Sequence, residues 1–225
     1  MKRTLIVPDV HEELARLQQV KPLIKQAGRV VWLGDFWDTF KTRHIEEICD
    51  EVKEALERGD DVLIGNHCTH YHFKHAGYGC SGFELPTRVI VNSRIMASDV
   101  NKLKVYTEVG KFTVSHAGFH LKTLHYKQAG RCEKAIKSSL DGEYDALFGA
   151  GRARGGSQLV GGPVWLDWNQ EFKPIKGMPQ IVGHTRDNSV RTKKIDSELS
   201  YCLDTGLKHV MWVNEETNEV EVVTL

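Results

Sequence analysis

Leu33-Gly34-Asp35-Phe36-Trp37-Asp38 is the stretch on which the reading of this 225-residue chain turns. It continues Arg29-Val30-Val31-Trp32, a β-branched and aromatic run that predicts a buried strand over 29–33. Gly34 breaks the run, and two carboxylates follow three residues apart, Asp35 and Asp38. In an α/β sheet, reactive groups collect where the chain leaves the carboxyl ends of the strands. Asp35 therefore stands where a metal ion or a substrate is expected.

The flanking segments repeat the pattern. Residues 3–7 read as a first strand whose exit is Pro8-Asp9-Val10-His11. Leu14, Leu17, Val20, Leu23, Ile24 and Ala27 keep a helical period, which Pro22 is expected to kink or split into two short helices. Thr42 is placed to cap the next helix, with its stripe of Ile45, Ile48, Cys49, Val52, Ala55 and Leu56. Gly59 closes that helix, and 61–64 is a third strand. The order βαβαβ marks a parallel sheet.

After Gly65-Asn66-His67, the histidine- and glycine-rich stretch up to Gly82 reads as a loop over the site. A helix over 86–98 and adjacent strands over 102–109 and 111–115 lead to His116-Ala117-Gly118. Short helices are expected at 131–140 and 143–148, an irregular glycine- and arginine-rich loop at 149–162, and a strand at 180–182 ending in Gly183-His184-Thr185. The tail then changes character. Short strands at 194–195, 201–203, 210–213 and 220–223 read as an antiparallel meander, a second sheet packed on the first. With no repeat or linker, 1–225 is read as a single domain.

Thirty basic and thirty acidic residues cancel, which argues against binding nucleic acid or membrane through bulk charge. Met1-Lys2-Arg3 runs into Thr4-Leu5-Ile6-Val7, too short an apolar stretch for a signal peptide, and no run has the length of a membrane span. Five cysteines without a CxxC pair point to free thiols in a reducing compartment, so a cytoplasmic protein is expected.

Five strand exits carry groups able to hold a metal: Asp9 with His11, Asp35 with Asp38, Asn66 with His67, His116, and His184. Carboxylates, an amide and imidazoles suit hard or borderline divalent ions such as manganese, iron or zinc. In Asp9-Val10-His11, residues i and i+2 of an extended segment share a face and can address one ion. Asp35 is the central candidate for a bridge between two cations.

In this order and spacing, Asp9-Val10-His11, Gly34-Asp35-Phe36-Trp37-Asp38, Gly65-Asn66-His67, Ser115-His116-Ala117-Gly118 and Gly183-His184 resemble the calcineurin-like metallophosphoesterase superfamily, in its serine/threonine-phosphatase-like branch. The resemblance runs from residue 5 to the Leu203-Asp204-Thr205-Gly206 turn. It implies a four-layer αββα fold, a two-sheet sandwich flanked by helices. It also implies two divalent ions, manganese first, with iron, zinc or magnesium as alternatives. Asp9 and His11 would hold one ion, Asn66, His116 and His184 the other, with Asp35 between them. His67 would be the catalytic histidine and Asp38 the carboxylate that orients it. The implied activity is phosphatase hydrolysis of phosphomonoesters by metal-activated hydroxide, without a phosphoenzyme. The substrate would be a phosphorylated small molecule, nucleotide or phosphoprotein.

Three departures from the family pattern stand out. Cys68 follows Asn66-His67 where the family has an acid, Thr39 follows Asp38 in place of Arg-Gly, and Gly183-His184-Thr185-Arg186 lacks a second histidine. The alternatives are a phosphodiesterase or nucleotide hydrolase, its base or sugar held by the histidine-rich stretch, and a non-catalytic binding module with Cys68 as a first sign of decay. Arg152, Arg154 and Arg186 are candidate phosphate forks, against a bland reading as solvated charges. His70, His72 and His75 read as solvated or substrate-facing and stay outside the metal set. Cys68, Cys80 and Cys132 read as plain thiols, and Trp32, Trp37, Trp165 and Trp168 as core or wall.

Overall fold

The computed structural model describes residues 3–39 and 43–225; Met1, Lys2 and the expected helix cap Thr42 lie outside them. The first half alternates β1 (Arg3–Val7), α1 (Leu14–Ile24), β2 (Arg29–Trp32), α2 (Ile45–Arg58), β3 (Asp61–Val62) and α3 (Asn66–His72). Next come α4 (Leu85–Arg94), α5 (Ala97–Val100), β4 (Tyr106–Val109), β5 (Phe112–Ser115) and α6 (Arg131–Asp141). The chain ends with β6 (Gln180–Val182), β7 (Arg191–Ile195), β8 (Glu198–Cys202), β9 (His209–Asn214) and β10 (Val220–Thr224).

Two five-stranded mixed sheets result, ordered β10-β9-β1-β2-β3 and β4-β5-β6-β8-β7. Strands β1, β2 and β3 run parallel, as the βαβαβ order requires, and β5, β6 and β8 run parallel in the second sheet. Alternation along the strands builds the layers. Ile6 of β1, Val31 of β2 and Met211 and Val213 of β9 face inward, against Val109, Phe112, Val114 and Ile181 of the second sheet. Leu5, Val7, Val30, Trp32, Val210 and Trp212 point the other way, into a core shared with Leu17 and Val20 of α1 and Ile48 and Val52 of α2. The expected helix-flanked two-sheet sandwich is the observed architecture. On the outer face of the second sheet, Val182 and Cys202 are covered by Leu166, Trp168 and Phe172 from a turn-rich segment.

Four expectations change. Pro22 lies in the last turn of an unbroken α1, so helix 14–24 does not split, although the proline nitrogen has no hydrogen to donate to the Gln18 carbonyl. The expected loop after Gly65 begins as α3, in which Asn66, Cys68, Thr69, His70, Tyr71 and His72 are all buried. The helix expected over 86–98 is two helices, α4 and α5, parted at Ile95. The tail is not one meander: β7 and β8 join the second sheet, while β9 pairs with β1 and extends the first. Strand β9 is apolar on both faces, as a central strand requires. At the β3 edge, Asp61 ties the two halves together, accepting from Arg29 Nε (3.1 Å) and Thr107 Oγ1 (3.0 Å) and pairing with Lys104.

Candidate metal centre

The exits of β1, β2, β3, β5 and β6 meet at one edge of the sandwich. Tight turns place their side chains: His11, Asp35, Asp38 and His184 all have left-handed backbone, with φ of 43°, 47°, 73° and 66°. Such conformations cost free energy for residues other than glycine and persist where the surroundings over-determine them. Two motif glycines have a further steric reason. A Cβ on Gly65 would lie 2.1 Å from Asp35 Oδ1, and one on Gly183 would lie 1.9 Å from Asp9 Oδ1. Each buried carboxylate occupies the space a side chain would fill.

The donors gather in two groups that share one residue. Asp9, His11 and Asp35 present donor atoms within 4.8 Å of one another, and so do Asp35, His116 and His184. Asn66 joins the second group, its Oδ1 standing 3.0 Å from His116 Nε2. The tautomers are set from outside: His116 Nδ1 donates to the Leu33 carbonyl (2.8 Å) and His11 Nδ1 to the Trp37 carbonyl (2.9 Å). His116 Nε2 is then left facing Asn66 Oδ1, Asp35 Oδ2 (3.2 Å) and His184 Nδ1 (3.2 Å). Backbone N–H groups orient the carboxylates, His184 N to Asp9 Oδ2 (3.0 Å) and His67 N to Asp35 Oδ1 (2.8 Å).

Beside them stands the His67–Asp38 pair, with Nδ1 2.6 Å from Oδ2. Asp38 is itself held: Tyr71 Oη donates to its other oxygen, and its backbone N–H donates to Glu12 Oε1 (3.0 Å). Glu12, fully buried in its side chain, also accepts from Arg43 Nε (3.0 Å) and His44 N (2.7 Å). A cavity of about 290 Å³ opens over the pair, lined by His11, Asp38, Arg43, His67, His184, Arg186 and Asp204 among others.

Solved structures share this arrangement of strands and helices. A cold-active protein-tyrosine phosphatase from a psychrophilic Shewanella species superposes with a TM-score of 0.67 at 15% identity, over 100% of this chain and 81% of that one. A metallophosphoesterase from Sphaerobacter thermophilus gives 0.51 at 14% identity, over 100% and 88%. A serine/threonine phosphatase from Saccharomyces cerevisiae gives 0.53 at 12%, over 99% and 80%. This is the metallophosphoesterase fold. No family model and no curated protein matches the sequence, and the likeness to these structures is one of fold.

On this metallophosphoesterase fold the donor set fits cations. His116 Nε2 meets three acceptors, and His184 Nε2 is buried without a hydrogen-bond partner. Burial and the nearby Asp204 and Asp35 push the Asp9 carboxyl well above its ordinary range. Burial also opposes charge on Asp35, yet His116 and His67 hold its carboxyl far below that range. Against burial, Asp35 and Asp9 push the His116 imidazole up to about 9. Burial and the His116 charge drive His184 well below its usual value.

Of the arginines, Arg154 is tied down by Asp167 (2.8 Å) and Thr185 Oγ1 (2.8 Å), close enough to His184 for its charge to depress that imidazole. Arg186 lines the cavity, lying over Gly206. Arg152 is exposed and makes no ion pair with the described residues. Sequence reasoning missed Glu12, Arg43, His70, Tyr71, Cys80 and Asp204. His70 and His72 are buried, against the expectation of a solvated segment, whereas His75 is exposed. Cys80 is no plain thiol, for its Sγ lies 3.0 Å from His70 Nδ1. The spacing of His67, His70 and Tyr71, three and four residues apart, was the available signal that one helix face turns to the site.

Proposed function

We propose that the protein is a phosphatase with a paired-cation centre, hydrolysing phosphomonoesters. One observation carries the reading: Asp35 belongs to both donor groups, Asp9–His11–Asp35 and Asp35–His116–His184. Asp9 and His11 would hold one ion, Asn66, His116 and His184 the other, with Asp35 shared; manganese suits these oxygen and imidazole donors. Such ions, when bound, lower the pKa of a water and offset charge on the phosphoryl oxygens. The described neighbours, two named as phosphatases and one as a metallophosphoesterase, support the class of reaction.

The chain's own residues do the rest. His67 carries the proton for the leaving oxygen. Burial opposes its charge, but in the metal-free chain Asp35 and the Asp38 hydrogen bond raise the imidazole to about 11, and the Asp38 contact favours the protonated form that the reaction needs. Asp38 takes Nδ1 and so fixes the orientation of the ring, with Nε2 the nitrogen that would meet the substrate. Glu12 and Tyr71 hold Asp38, and through Glu12 the Arg43 guanidinium is held at the rim of the cavity. Arg186, on the cavity wall, is the candidate fork for phosphate oxygens.

The decisive assay compares aryl phosphate mono- and diesters with the manganese-supplemented protein and an Asp35→Asn variant. Monoester turnover is expected to exceed diester turnover and to fall about 10²–10³-fold in the variant. Turnover no greater than that of the variant rejects the reading, and a preference for the diester turns it to a phosphodiesterase.

A further inference from the structure

A third donor group stands beside the two that share Asp35, and the reaction described above uses only half of it. Asp38, His67, His70 and Cys80 each present a donor atom within 4.8 Å of the others. His67 Nδ1 is 2.6 Å and His70 Nε2 2.8 Å from Asp38 Oδ2, while His70 Nδ1 is 3.0 Å from Cys80 Sγ. His67 and His70 stand one turn apart on α3, and Cys80 arrives just beyond the 3-10 turn Ala76–Tyr78. A tetrahedral zinc ion, with bonds of about 2.0–2.3 Å, spaces its donors about 3.3–3.8 Å apart, so shifts of about 1 Å suffice.

Two features separate this group from incidental packing. The His70 side chain is wholly buried, and its Nε2 stands 2.8 Å from Asp38 Oδ2, out of good hydrogen-bonding line and paired with nothing else. Cys80 is also the one cysteine of the five that is not buried. The donor chemistry differs from that of the paired centre, which contains no sulfur. A thiolate with two imidazoles and a carboxylate selects a softer ion, zinc above manganese.

We propose that Asp38, His67, His70 and Cys80 form a third cation site, which takes zinc and whose occupation switches the phosphatase off. Binding forms a zinc–sulfur bond at Cys80 and zinc–nitrogen bonds at His67 and His70, and it releases to solvent the thiol proton and the second proton of the His67 imidazolium. It also engages His67 and Asp38, the pair that delivers the leaving-group proton. The inhibition rests on the proposed function; the binding does not.

Cobalt(II) serves as a coloured stand-in for zinc. Titrating the manganese-loaded protein with cobalt is expected to raise a sulfur-to-cobalt charge-transfer band that saturates at one equivalent and is bleached by zinc. Cys80→Ser should lack the band, and His70→Gln should weaken cobalt binding at least tenfold. The contact from Asn66 Nδ2 to Cys80 Sγ is long and weak (3.8 Å), so Cys80→Ser is expected to retain basal turnover while needing at least tenfold more zinc for inhibition. Absence of the band, or its persistence in Cys80→Ser, overturns the site. A normal band with turnover indifferent to zinc overturns the switch. A normal band in a protein that hydrolyses no phosphoester supports the site and rejects the phosphatase reading.

Discussion

At the residue scale, the centre is governed by what surrounds His116 Nε2. Asn66 Oδ1, Asp35 Oδ2 and His184 Nδ1 stand within 3.2 Å of it, and one proton cannot bond all three. In the metal-free protein Asp35 and Asp9 push the His116 imidazole up to about 9 against its burial, so at neutral pH a binding ion must displace a proton. Manganese affinity is therefore expected to rise with pH, by about tenfold per unit for one displaced proton, up to about pH 9. Calorimetry in buffers of different ionisation enthalpy reads the released proton directly, and a pH-independent affinity would contradict the assignment. His67 supplies a second test. Replacing Asp38 by Asn removes a partner that raises its pKa, so the alkaline limb of the rate profile should move to lower pH, by about 1–3 units. His67→Ala should slow alkyl phosphates about 10²–10⁴-fold and nitrophenyl phosphate much less, because a good leaving group needs no proton.

Elements hold these residues in register through a few long-range ties. Helix α3 starts directly at the exit of β3, so Asn66 and His67 face the centre while Tyr71, one turn on, reaches back to Asp38. At the edge of the sheets, Asp61 joins Arg29 of β2 to Lys104 and Thr107 of the other half. Burial disfavours its charge, but Lys104 and Arg29 hold its carboxyl below the ordinary value of 3.8. A carboxyl depressed on folding stabilises the native state above its unfolded pKa, and that contribution fades as pH falls through the native value. Asp61→Asn is expected to cost about 1–3 kcal/mol in urea unfolding at neutral pH, with the difference narrowing in acid. An unchanged midpoint at neutral pH would show the tie to be energetically idle.

Across the whole molecule, the centre lies where two sheets meet. Asp9, His11, Asp35 and Asn66 leave the first sheet, and His116 and His184 leave the second. Ions held there would cross-link the sandwich in the folded state alone. At a free manganese concentration 100 times Kd, the gain is about 2.7 kcal/mol per site. The melting temperature should climb with manganese, return on adding a chelator, and respond less in Asp35→Asn. Among the described residues, no helix is long and apolar enough to cross a membrane.

Much of this was legible in the chain because its signals are local. Apolar runs ending in polar residues marked Asp9, Asp35, Asn66, His116 and His184, and β1 to β3 followed from helical and strand periods. What stayed hidden depends on segments distant in sequence. The tail strands show their own alternation, but nothing local tells β9 to pair with β1, some 200 residues earlier in register Leu5 with Trp212. Helix α3 was hidden by weakly apolar histidines and a cysteine, whose burial comes from tertiary neighbours such as α4 and the 3-10 turn Ala76–Tyr78. Glu12, His70 and Cys80 likewise acquire meaning from neighbours that folding supplies. Sequence set the kinds of donor and their order, since side-chain chemistry and short-range period are written in the chain. Tertiary structure alone decided which donors stand together and which residues steady them, because those distances arise only when the two sheets close on each other.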